Sequence, residues 1–242
     1  GTLTDREAAA RLLAKYDLLA LPVLDGEARM VGIVTVDDAI DVLTEETTED
    51  LSIMAAVTPD EKPYFAASAW EHAQHRILWL LILMLSATIT GSIITRYEDA
   101  ISAVPLLVAF LPMLMDTGGN CGSQSSVMVI RGLSLGQVGF GDWMRVLSKE
   151  LQVSGLCAAA LAVVNFVRLM VMTSVGFGVA ATVSLTLVAT VVLSDLVGSL
   201  LPILAKRLGT DPAVMASPLI TTVVDAMSLL IYFQLSSWLL GL

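Results

Sequence analysis

Cysteine and histidine are nearly missing from this 242-residue chain, at two each. Two thiols, Cys121 and Cys157, both inside apolar stretches, cannot make the multi-bridge framework of a small secreted domain. His72 and His75 stand three apart and share a helix face, but with no third ligand nearby they read as a juxtamembrane surface pair rather than a zinc centre. Charge is also scarce, at 15% of residues against about 25% in soluble proteins. Basic residues number 13 against 23 acidic ones, which argues against nucleic-acid binding. No nucleophile-base pair or phosphate loop is present, so nothing points to an enzyme. Residues 1–25 carry charges throughout and lack a signal-peptide pattern. The chain opens without Met inside a helical pattern, which predicts further sequence upstream.

Apolar residues are abundant: 56% of the chain is hydrophobic, with a mean hydropathy of +0.80. A soluble core leaves most of its charges on a wet surface, so such an average requires several membrane-length segments. The net charge of −10 is unevenly spread: residues 1–76 hold 15 acids and 6 bases, net −9, and residues 77–242 hold 8 and 7, net −1. An acidic, water-soluble piece is joined to a nearly neutral one suited to lipid. The expected fold class is mainly α, a five-helix polytopic transmembrane domain preceded by a partial α/β domain. The divisions fall at residues 1–43, 44–76 (acidic linker and connecting helix) and 77–242.

The soluble piece reads as helix, strand, strand, helix. Ala8, Ala9, Leu12, Leu13 and Tyr16 make a helical stripe; residues 19–24 form an apolar run ended by Asp25-Gly26, a strong hairpin signal. Residues 30–36 make a second strand, and Asp37 starts a helix with Ile40 and Leu43 on one face. From Thr44 onward Glu45, Glu46, Glu49, Asp50, Asp60 and Glu61 meet no base until Lys62. A charge run is usually a solvated face. Carboxylates crowded at a joint also repel unless a cation neutralises them, so Glu45, Glu46, Glu49 and Asp50 are candidate sensors of divalent ions.

Residues 77–95 carry no charge and span about 28 Å as a helix, close to a bilayer core of ~30 Å. Arg76 and Trp79 flank one end, Arg96 and Tyr97 the other, as interfacial anchors do. Further segments cover residues 101–130, 153–171, 177–204 and 213–240. The second is expected to be broken, because it holds Pro105, Pro112, Gly118, Gly119 and Gly122. With the soluble piece in the cytoplasm, Arg76, Arg131, Arg145, Lys149, Lys206 and Arg207 fall inside, and Arg96 and a snorkelling Arg168 outside. That bias places the soluble piece on the cytoplasmic side of a cell membrane.

A carboxylate at membrane depth is costly and marks function by default. Asp225 lies mid-segment with no Lys or Arg in its own helix; the competing reading is a hydrogen bond to another helix. Asp195 lies nearer the cytoplasmic end, where it serves equally to brace a kink before Pro202. Asp116, Asn120 and Gln124 recur every four residues and suggest one face along a hydrated path, whereas small residues such as Gly118, Gly119 and Gly122 also allow close helix contact. A hard divalent cation that sheds water reluctantly is held by one or two carboxylates plus waters, which suits Asp225. No histidine lies at membrane depth to favour a softer metal.

Two resemblances complete the reading. Leu21 to Gly26 with Gly32-Ile33-Val34-Thr35-Val36-Asp37-Asp38 resembles the second half of a CBS domain, which implies ATP or another adenine nucleotide at Thr35 and Asp38; the competing reading is a strand end and helix start. The pattern P-x6-G-N-x-G-x-Q from Pro112 to Gln124, the Glu61-Lys62-Pro63-Tyr64-Phe65 stretch, and Asp211-Pro212 through Pro218 to Asp225 resemble the MgtE family of magnesium channels. That resemblance implies a homodimer with a pore on its axis, Asp225 holding hydrated Mg²⁺, Thr221 one turn away and Asn120 on the same path. Asp116 joins them from its place on the same face as Asn120. The function expected is a Mg²⁺ channel closed by cytosolic Mg²⁺. Its rivals are a Na⁺- or H⁺-coupled exchanger with Asp195 or Asp116 as second ion site, and a non-transporting receptor anchored by its helices.

Overall fold

The computed structural model describes residues 1–60, 62–173 and 175–241. Glu61 of the expected acidic run and family motif lies outside the described residues, as does the side chain of Ser217. The chain divides into two compact units, Gly1–Ile53 with Thr58–Lys62 and Met54–Val57 with Pro63–Leu242.

The first unit carries α1 (Arg6–Lys15), β1 (Ala20–Leu24), β2 (Met30–Thr35) and α2 (Val36–Met54), the expected order. Asp5 caps α1 by accepting from the amides of Glu7 and Ala8, which have no partner inside the helix. The strands pair antiparallel with Ala20 opposite Thr35. At the hairpin the left-handed residue is Ala28, φ 59°, and not the glycine of Asp25-Gly26. The Asp25 carboxylate sets the loop instead, accepting from the amides of Glu27 and Arg29, both at 2.9 Å. The core is Ala10, Leu13 and Ala39. Of the expected helical stripe only Leu13 is buried; Leu12 and Tyr16 are exposed. The acidic stretch expected as a linker continues α2 to Met54, since Glu is a good helix former and no Gly or Pro interrupts it.

The second unit is built from α3 (Ala69–Arg96), α4 (Glu98–Ala103), α5 (Leu111–Ser134), α6 (Trp143–Met172), α7 (Phe177–Arg207) and α8 (Ser217–Leu240). A capping box starts α3: Ser68 Oγ accepts from the Glu71 amide at 3.3 Å, and Glu71 accepts from the Ser68 amide at 2.7 Å. His72 lies in the first turn, its Nε2 3.0 Å from the carbonyl oxygen of Tyr64. Among the described residues four helices, α3, α6, α7 and α8, are long and apolar enough to cross a membrane. At 24 residues, about 36 Å, α5 is as long as α8.

The break expected within residues 101–130 lies ahead of Leu111. A 3-10 turn over Pro105–Phe110 precedes α5, and α5 then runs unbroken through Gly118, Gly119 and Gly122. Pro112 sits in the first turn, where its missing N–H costs no helical bond. The glycines persist in helix because neighbours need their space. A Cβ on Gly118 would lie 2.7 Å from Thr190 Cγ2, and one on Gly122 2.8 Å from Ile220 Cγ2. Close helix contact, not an open backbone, accounts for them.

Helices α5, α6, α7 and α8 pack together, and α3 lies chiefly along α8. Leu107, Leu114, Leu169, Val183, Tyr232 and Phe233 belong to the main core. Tyr232 donates to the carbonyl of Leu107 at 3.0 Å, satisfying a buried phenol, and Tyr97 stacks on Phe233 with centroids 4.8 Å apart. Near the far end of α6, Arg168 donates to Asn165 Oδ1 at 2.9 Å, and Asn165 donates to Ser184 of α7 at 3.2 Å.

Candidate functional site: a polar stripe between two helices

Asp225 lies on α8, fifteen residues before the helix ends at Leu240. Helix α8 packs most extensively against α5, which runs antiparallel to it. Tyr232 reaches Leu107 just ahead of α5, while Ser126 Oγ donates at 3.0 Å to the carbonyl of Met215, just ahead of α8. This pairing brings Asp116 within Coulombic reach of Asp225. Between them Gly119 lets Thr221 approach: a Cβ on Gly119 would stand 2.9 Å from Thr221 Cγ2.

Asp116, Asn120 and Gln124 are exposed on α5, while Gly118, Gly119, Gly122, Ser125 and Ser126 of the same helix are buried. The expected single polar face is present. Asp225 and Thr221 border it, both half-buried. Thr221 Oγ1 donates to the carbonyl of Pro218 at 2.9 Å, so its hydroxyl oxygen keeps lone pairs to offer a hydrated ion. Asp116, Asn120 and Gln124 stay exposed among the described residues. In hydrocarbon such groups need a wet cavity or a protein partner.

The structure adds a cluster not foreseen in the sequence. Ser125 Oγ lies 2.7 Å from Glu150 Oε2 of α6 and 3.0 Å from the carbonyl oxygen of Asp195 on α7. Asp195 is buried, at 6% exposure, and Glu150 lies within Coulombic reach of it. Glu150 escaped notice because the apolar run begins near Val153, whereas α6 begins ten residues earlier, at Trp143. That extension carries the acid onto the α5 and α7 surfaces.

In the first unit Thr35 and Asp38 are bonded to each other. Asp38 Oδ2 accepts from the Thr35 amide at 2.9 Å and from its hydroxyl at 2.6 Å, holding the Asp38 carboxyl below its ordinary range. This is the reach of an N3 acid back to the residue that opens α2. Both bonds go to Oδ2, so Oδ1 of the same carboxylate keeps its lone pairs.

The four acids of α2 are not gathered around one point. Arg6 of α1 pairs with Glu45 at 2.9 Å and with Glu46 at 3.2 Å; Glu49 stands one turn after Glu45, beside Asp50. Among the described residues no three His, Cys, Asp or Glu side chains converge to hold a metal.

Comparison with known proteins agrees with this architecture. Residues 111–235 match the family model "MgtE: Divalent cation transporter", and residues 4–45 match the CBS domain. The chain is similar to the magnesium transporter MgtE of Thermus thermophilus, 40% identical over 245 residues, covering 99% of this chain and 53% of that protein. It is also similar to the magnesium transporter MgtE of Bacillus subtilis, 39% identical over 243 residues, covering 97% and 51%. With that of Enterococcus faecalis it shares 32% identity over 233 residues, covering 96% and 51%. The chain spans about half the length of the curated relatives it matches. An α5–α8 polar stripe set among membrane-length helices, behind a CBS domain, thus belongs to a member of the MgtE family of divalent cation transporters.

Proposed function

We propose that this chain passes hydrated Mg²⁺ across a cell membrane along the stripe formed by Asp225, Thr221, Asn120 and Asp116. The observation that carries the proposal is the uncovered polar face of α5 beside the half-buried Asp225 of α8. Two copies related by a two-fold axis would close these faces on each other and set two Asp225 carboxylates around one hydrated ion. The names of the relatives, all magnesium transporters, support the choice of ion. Opposed carboxylates with waters between them stabilise a divalent ion without stripping its inner shell.

The proposed mode is a channel. Two charges moving through 100 mV release about 4.6 kcal/mol, enough to drive inward flux without ATP. Such a path requires a brake, and Glu45, Glu46, Glu49 and Asp50 are proposed to supply it by binding cytosolic Mg²⁺. Arg6 pairs with two of these acids, so Mg²⁺ has to displace it. The basic residues at the helix ends support a cytoplasmic first unit. In this reading residues 1–43 are regulatory, 44–76 couple, and 77–242 conduct.

Magnesium uptake into liposomes by wild type and Asp225→Asn tests the proposal. Flux should be present in wild type and fall by at least ten-fold in the variant; equal flux sinks it. A coupled exchanger draws support from the Ser125, Glu150 and Asp195 cluster. Flux that follows an imposed Na⁺ or proton gradient at fixed voltage selects that reading. Equilibrium dialysis with ATP measures whether an adenine nucleotide binds at Thr35 and Asp38.

A further inference from the structure

The outer side of α7 carries a second feature, away from the polar stripe. A groove of about 440 Å³ runs along its last third, lined by Leu196, Leu200 and Leu204 on α7 and by Phe140 and Trp143 ahead of and at the start of α6, and it ends at Arg207. The eleven helical steps from Leu196 to Arg207 rise about 16 Å, the depth of one leaflet of a roughly 30 Å hydrocarbon core. Phe140, Trp143 and Leu204, which line it, are 44 to 49% exposed. At its mouth the Arg207 guanidinium lies 5.8 Å from the centroid of the Phe140 ring, and Arg207 belongs to none of the ion pairs among the described residues.

We propose that this groove is a binding site for an anionic phospholipid, with one acyl chain along Leu196, Leu200 and Leu204 and the headgroup phosphate on Arg207. The charge at the mouth selects the occupant. A planar guanidinium with unused donors matches a phosphate oxygen pair, and Trp143 sits where an amphipathic ring meets the headgroup level. A second protein copy seated here would take Arg207 out of water, and the groove offers no carboxylate to meet it, which is costly for a buried charge. The inference rests on the membrane placement of the helices and not on the ion carried. Its failure is therefore separable from failure of the transport reading.

The test is native mass spectrometry of the delipidated full chain titrated with dioleoyl phosphatidylglycerol, dioleoyl phosphatidylcholine or glycerol 3-phosphate. Phosphatidylglycerol should bind about five-fold more tightly than phosphatidylcholine, what one cation is worth at an anionic surface. Arg207→Gln should abolish that preference and Arg207→Lys should keep most of it. Leu200→Trp, which fills the groove, should weaken both lipids. Equal binding of the two lipids by wild type, or a preference untouched by Arg207→Gln, overturns the proposal. So does full competition by glycerol 3-phosphate, which would mark a site for free phosphate. Quantitative cross-linking of Leu200→Cys between two copies in nanodiscs would assign the groove to a protein contact and overturns it as well.

Discussion

Gly198 of α7 and Gly122 of α5 meet backbone to backbone: a Cβ on Gly198 would lie 2.1 Å from the carbonyl oxygen of Gly122. Pro202, four residues further along α7, has no N–H to return to the Gly198 carbonyl, so the crossing coincides with a weakened turn. Helix α5 carries Asn120 two residues before Gly122, so this crossing bears on where that side chain stands. Gly198→Ala should destabilise the protein by about 1–3 kcal/mol or more, the range for overpacking a close contact. Thermal melting in detergent measures it, and an unchanged melting temperature would contradict the contact.

The Gly119 and Thr221 contact allows a sharper test near the stripe. Gly119→Ala puts a methyl 2.9 Å from Thr221 Cγ2 and should lower Mg²⁺ flux several-fold by moving α5 off α8. Thr221→Ser removes that Cγ2 while keeping the hydroxyl. The double variant should recover most of the lost flux, a coupling within the roughly 0.5–3 kcal/mol seen for residues in contact. Additive losses would show that the clash is not the cause.

Arg6 offers a test of sensing that leaves the membrane unit alone. Arg6→Gln frees Glu45 and Glu46 from their ion pairs and increases the negative charge on that face of α2. If Mg²⁺ competes with Arg6 there, inhibition of flux should appear at lower Mg²⁺, by a few-fold. Glu45→Gln with Glu46→Gln should move it the other way. Inhibition curves that superimpose in all three proteins exclude these acids as sensors.

Asp38 carries a pH signature. Its carboxyl is held below the ordinary range by the hydroxyl and then the amide of Thr35. A depressed folded value means that the stabilisation is complete above the unfolded carboxylate range and is lost as pH falls through the lower folded value. Asp38→Asn should therefore lower the stability of the first unit at neutral pH. The difference from wild type should shrink toward strongly acid pH, as followed by circular dichroism melts. A constant difference across pH would show that Asp38 acts through packing.

The composition, the charge split and the uncharged runs were enough to determine a membrane protein with an acidic soluble part, because hydrocarbon tolerates few charges and the bilayer fixes helix length. The helix, strand, strand, helix order of the first unit was likewise legible from local periodicity. So was the face shared by Asp116, Asn120 and Gln124, since four-residue spacing is a property of the helix itself. Long-range choices were not legible. That α5 would continue through three glycines depended on Thr190, Thr221 and Ile220, side chains from α7 and α8 that fill the space a Cβ would take. The pairing of Arg6 with Glu45 and Glu46, and of Ser125 with Glu150, joins residues far apart in the chain. Such contacts are decided when helices pack, because the free energy lies in surfaces that meet only in the tertiary structure. The sequence by itself set Asp225 within an apolar stretch that holds no Lys or Arg; only the antiparallel packing of α5 on α8 brought Asp116 and Thr221 toward it.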